Sequence, residues 1–141
     1  MENDNTSSLV LDNAMLLNEI SGEIVDSAIA VHREFGPGLL ESVYEAVLVH
    51  ELRKRNLKVE DQIELPIEYE GLRIDKGYQL DLLVEDCVIV EVKSVKELAD
   101  IHKKQLLTYL RLQKKQLGLL LNFNVSLMKQ GIVRIANGLE E

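Results

Sequence analysis

Tyr78-Gln79-Leu80-Asp81-Leu82-Leu83-Val84 and Val88-Ile89-Val90-Glu91-Val92-Lys93, separated only by Glu85-Asp86-Cys87, decide how this chain folds. Both runs are apolar, as strands are, and the break between them reads as a hairpin turn. A turn centred on Asp86 sets Val84 opposite Val88, Leu82 opposite Val90 and Asp81 opposite Glu91. Directly opposed residues hold their Cβ atoms about 5 Å apart, so the two carboxylates converge. A two-residue turn would instead shift the register by one and send them to opposite faces. The reading therefore predicts a three-residue loop.

An acid inside such a strand needs an explanation. Asp81 sits among Leu80, Leu82 and Leu83, and Glu91 between Val90 and Val92. An ionised carboxylate buried without a partner costs several kcal/mol, so it requires a cation, a metal or water. Two converging carboxylates repel, and a divalent cation relieves that repulsion. Glu91 and Lys93 are two apart on one strand and share a face. A D…ExK pattern taken alone also fits a salt bridge of Asp81 or Glu91 with Lys93 at an exposed sheet edge.

Upstream, Ile20, Ile24, Ala28, Val31 and Phe35 recur every three or four residues, which predicts an amphipathic helix from Glu19 to Phe35. Gly36-Pro37-Gly38 ends it. A second helix is expected from about Glu41 to Asn56. Residues 1–17 read as a loosely ordered tail, and 18–141 as a single domain. Ile63, Leu65, Ile67 and Tyr69 alternate with polar residues or Pro66, which marks a strand. Pro66 cannot donate to a ladder, so that strand lies at an edge or is bulged. Glu70-Gly71 turns into a short strand from Leu72 to Ile74. Downstream follow a helix from about Leu98 to Gln113, an apolar strand from Leu117 to Phe123, and a last strand from Gly131 to Ala136. This order fits a mixed sheet with helices on it.

The chain of 141 residues has 46% hydrophobic and 28% charged residues, which suits one globular domain. Its one cysteine, Cys87, excludes an internal disulfide framework. The first 30 residues hold six acids and no Lys or Arg, unlike a signal peptide, and no apolar run is long enough to span a membrane. The expected location is the cytoplasm. The net charge of −8 opposes a phosphate-rich partner, yet residues 93–115 hold seven Lys and Arg against Glu97 and Asp100. Within that stretch Lys96, Lys103 and Lys104 are candidate nucleic-acid contacts, although such runs are commonly solvated helix faces.

Gly38-Leu39-Leu40-Glu41-Ser42-Val43-Tyr44 reads G-x-x-E-x-x-Y. With the Asp81 strand, Val90-Glu91-Val92-Lys93, His102-x-x-Gln105-x-x-x-Tyr109 and Gly118-Leu119-Leu120-Leu121-Asn122-Phe123, the chain resembles the GxxExxY family. That family is a small-domain branch of the PD-(D/E)XK nuclease-like superfamily, and the likeness runs from about Ile20 to Leu139. It implies an α/β (α+β) restriction-endonuclease-like core, a mixed central sheet flanked by helices, and a Mg²⁺- or Mn²⁺-dependent hydrolysis of phosphodiesters. Asp81 and Glu91 match the two acids, Lys93 the lysine and Glu41 the additional acid on the preceding helix. Gln105 and Tyr109 match a Q-x-x-x-Y element. Leu80 stands where the superfamily's name has proline.

Those roles make chemical sense. Mg²⁺ binds through one or two carboxylates, and the Val92 carbonyl could add a ligand. Lys93 would hold the attacking water or the scissile phosphate. Tyr44 fits either a core residue or a substrate contact. His102 fits a supporting role, because a hard ion prefers oxygen. Gln105 and Tyr109 would orient the lysine or a phosphate, or simply pack. The implied partner is nucleic acid, DNA above RNA, with a homodimer or a protein partner also open. The alternative is a catalytically silent nuclease-fold module.

Overall fold

The computed structural model describes residues 5–139, with side chains from Leu16 onward. Helix α1 runs Asn5–Phe35 and α2 Glu41–Lys54. They are followed by β1 (Val59–Tyr69), β2 (Leu72–Val84), β3 (Val88–Lys93), α3 (Asp100–Gln113), β4 (Leu117–Asn122), a 3-10 turn at Met128–Gly131 and β5 (Ile132–Ala136). The five strands form one sheet in chain order, antiparallel except for the parallel β3–β4 pair. This is the expected mixed sheet. The β3–α3–β4 crossover is what a parallel pair requires.

Each face of the sheet has its own core. On one, Ile20, Ile24, Ala28 and Val31 of α1 and Tyr44, Leu48 and Leu52 of α2 meet Leu82, Val84, Val90, Val92, Leu119 and Leu121. On the other, Leu106 and Leu110 of α3 cover Leu80, Leu83, Ile89 and Leu120. Each such fully buried aliphatic side chain contributes about 1.5–3 kcal/mol. All six residues of β4 are buried, as a strand covered on both faces should be. A Cβ at Gly118 would stand 2.9 Å from the Leu106 side chain, so a larger residue there would force Leu106 to shift in the α3–β4 contact.

Two expectations are corrected. The first helix begins at Asn5, not Glu19, so only residues 1–4 of the expected tail lie outside the described residues. Nothing between Asn5 and Ser21 is Gly or Pro, and Leu17 is buried beside Ile20, so the helix propagates toward the N-terminus from a packed nucleus. The segments 72–74 and 78–84 are one strand. Asp75-Lys76-Gly77 only shifts the register, where a Cβ at Gly77 would lie 2.6 Å from Ile67. Pro66 does sit on the edge strand at that irregularity, and Glu70-Gly71 forms the tip with positive φ at both residues. Among the described residues, no helix is long and apolar enough to cross a membrane.

Candidate metal centre

The β2–β3 hairpin turns through three residues and pairs Val84 with Val88, Leu83 with Ile89 and Leu82 with Val90. Glu85 and Asp86 take left-handed backbone angles there, φ 51° and 56°. The expected register therefore holds, and the next opposed pair is Asp81 and Glu91. At that pair the ladder stops and side chains take over. The Asp81 N–H donates to Glu91 Oε2 at 2.9 Å, and the Val92 N–H donates to Asp81 Oδ2 at 2.9 Å. Each acid thus satisfies a backbone amide that the opened ladder would have orphaned.

Glu91 is 4% exposed, and since Val90 and Val92 face the α1–α2 core, it points to the other side. Burial, and then the charge of Asp81, push its pKa up to about 8. The Asp81 N–H and Lys93 oppose that rise. Burial also raises Asp81, against the Val92 N–H and Lys93, while Glu41 adds to the rise. Lys93 ends β3 half-buried and influences both acids through its field, but makes no direct ion pair among the described residues. The simple salt bridge is therefore not what the strand carries.

Glu41 opens α2, where a carboxylate suits the helix dipole. Its Oε2 accepts the Ser94 N–H at 3.1 Å, and Ser94 Oγ donates to the Leu39 carbonyl at 2.9 Å. These bonds bind the helix start to the chain just past Lys93, beside an open cleft lined by Leu39, Leu40, Glu41, Ser42 and Ser94. Tyr44 is fully buried. Its hydroxyl donates to the Gly36 carbonyl and accepts the Leu39 N–H, and its ring stacks on Phe123 at 4.6 Å. It fixes the loop before Glu41 and has no surface for a substrate.

Of the α3 residues, His102 accepts the Ala99 N–H through Nδ1 at 3.1 Å, which caps the helix start. Tyr109 stacks on Tyr78 at 5.1 Å, and its hydroxyl is pushed up by burial and then by Glu91 and Asp81, which places it near the acids. Gln105, Lys96, Lys103 and Lys104 are exposed. Val92 is buried and pairs with Leu121.

Three residues to which the sequence assigned no role also stand out. Glu45 lies one helical turn after Glu41, and its pKa is raised by burial and, among nearby acids, by Asp81 and Asp61. Gln62 reaches Glu45 from β1. Asn122, 2% exposed, donates to the Val95 carbonyl at 2.9 Å and accepts the N–H groups of Val95 and Asn124 at 3.0 and 3.2 Å. The i, i+4 spacing of Glu41 and Glu45 was a signal for Glu45, and Asn122 stood in the Gly118–Phe123 motif.

Among the described residues, no three His, Cys, Asp or Glu side chains already close into a metal-binding group. Asp81 and Glu91 still suit Mg²⁺ or Mn²⁺: both are hard oxygen donors, each has one oxygen on an amide, and such ions bind through one or two carboxylates. A mixed sheet flanked by helices, with paired acids and a lysine where a hairpin opens, defines an α+β protein with a restriction-endonuclease-like fold. The chain belongs to the PD-(D/E)XK nuclease superfamily, whose model matches residues 18–135. No curated protein and no solved structure matches it significantly.

Proposed function

We propose that this protein is a nuclease of the GxxExxY branch, acting on DNA in the cytoplasm with Mg²⁺ or Mn²⁺. The observation that carries the reading is the reciprocal bond pair by which Asp81 and Glu91 hold the hairpin open and face each other. Superfamily membership supports nuclease chemistry. In this reading Asp81 and Glu91, with the Val92 carbonyl, hold the ion, and Glu41 reaches it directly or through water. A bound Mg²⁺ supplies Lewis-acid chemistry, acidifying water and neutralising charge on phosphoryl oxygens. Lys93 holds the attacking water or the scissile phosphate. Gln105 and Tyr109 orient the phosphate from α3, and Lys96, Lys103 and Lys104 contact the backbone.

The test is a calorimetric Mn²⁺ titration of wild type, Asp81→Asn and Glu91→Gln, followed by cleavage assays on single- and double-stranded DNA and RNA. Binding by wild type alone, with cleavage, is the expected result. No Mn²⁺ binding, or no cleavage of any substrate, would sink the proposal. The net charge of −8 and the scarcity of aromatic side chains, with two Phe and no Trp, favour a second reading. In it, a nuclease-fold module grips nucleic acid, a protein partner or its own copy without cutting.

A further inference from the structure

β1 and β2 pair Asp61 with Leu82 and Ile63 with Leu80, but the intervening pair, Gln62 and Asp81, is missing from the ladder. Gln62 has a φ of 50°, a region an L side chain enters only under constraint. Its side chain supplies that constraint. Nε2 donates to both Glu45 oxygens at 2.8 and 2.7 Å, and Oε1 accepts from Gln79 Nε2. Across that gap the register sets Gln62 opposite Asp81. Asp81 is therefore flanked from two sides, hydrogen-bonded by the Val92 amide on β3 and faced across the ladder gap by Gln62 on β1.

We propose that Gln62 is a positioning residue for the metal centre, a neutral clamp that joins Glu45 of α2 to the ladder gap and fixes the Asp81 carboxylate. Chemistry favours an amide here. Its two N–H groups can serve two carboxylates without adding a positive charge that would compete with a cation. Groups that orient metal ligands typically change affinity by about 10–100-fold when removed. The proposal rests on the metal reading above, so its test includes a readout that needs no metal.

The experiment compares wild type with Gln62→Gly, Glu45→Ala and the double variant. Glycine adopts the positive φ freely, so Gln62→Gly removes the clamp without straining the backbone. Hydrogen exchange on metal-free protein reads the Val92 amide, which donates to Asp81. We expect about tenfold faster exchange at Val92 with the ladder amides of the β2–β3 hairpin and the melting temperature unchanged or raised. Mn²⁺ affinity should fall about tenfold in each single variant and hardly further in the double one. Unchanged Val92 exchange, or additive losses of affinity, would overturn the clamp. If wild type binds no Mn²⁺ the metal reading fails, while the exchange experiment still decides whether Gln62 holds Asp81.

Discussion

Asp81 and Glu91 cap each other's strands: the Asp81 amide is bound by Glu91, and the Asp81 carboxylate binds the amide that follows Glu91. Each acid accepts a backbone N–H through one carboxylate oxygen. That arrangement keeps two carboxylates together in a largely buried site, where burial raises both of their pKa values.

The first consequence is a pH dependence. Glu91 ionises near its ordinary value of 4.5 in the unfolded chain and at about 8 in the folded one, so the folded state binds its proton more tightly. The stability it contributes is fully present below about pH 4.5 and is lost as pH rises through about 8. Asp81, raised from 3.8, acts in the same direction. Thermal melts of EDTA-treated protein from about pH 5 to about pH 9 should show a falling melting temperature, and saturating Mn²⁺ should offset the fall at the alkaline end. A flat or rising profile without metal would contradict this account.

Glu91→Gln should remove most of that slope. The glutamine Oε1 can still accept the Asp81 N–H, while the buried charge is gone. At about pH 9 the metal-free variant should be more stable than wild type by on the order of 2 kcal/mol. Mn²⁺ binding should be lost in the same protein. Urea denaturation at two pH values measures the first effect and calorimetry the second.

Tyr44→Phe isolates the loop before Glu41. The Phe123 stack survives, but the Gly36 carbonyl and the Leu39 amide lose their partner. A destabilisation of about 1 kcal/mol is expected. Because Glu41 follows this loop, cleavage should fall more than stability does, which a comparison of kcat with the denaturation midpoint would reveal.

Asn122→Ala removes three hydrogen bonds from a buried side chain that ties β4 to the segment after Lys93. The expected loss is about 2–3 kcal/mol, well above that of an ordinary surface change. Chemical denaturation checks it, and a loss under 0.5 kcal/mol, the range of about-neutral surface changes, would show that water replaces the amide.

Lys103→Ala and Lys104→Ala test the DNA-facing role proposed for α3. If both contact phosphates, affinity should drop similarly for every sequence, and the slope of log affinity against log salt should fall by about 1 per lysine. Binding titrations at several salt concentrations measure this. An unchanged slope would return these lysines to the solvated helix face.

The central hairpin was legible because two apolar runs flank Glu85–Cys87, and a three-residue loop there sets Asp81 opposite Glu91 while a two-residue turn would not. Pro66 announced an edge by what it lacks, an N–H. Glu45 and Gln62 were hidden because their meeting depends on a gap in the β1–β2 ladder, and no local pattern in the sequence encodes a left-handed glutamine. Tyr44 stood in a motif that suggested function, but only the fold shows its hydroxyl consumed by Gly36 and Leu39. The unbroken run of β2 past Gly77 was illegible for a similar reason, since the contact with Ile67 that absorbs the irregularity is cross-strand. Periodicity reports which face a residue occupies, whereas these features depend on partners distant in sequence.

β2 continues to Leu72, yet β3 keeps step with it for only three residue pairs. Past those three pairs the carboxylates of Glu91 and Asp81 hold the Asp81 and Val92 amides. The opening is a wound the chain keeps from healing. A descendant released from its chemistry could replace Asp81 and Glu91 with strand-forming residues and let the seam knit. In such a lineage, silence and sturdiness would arrive together.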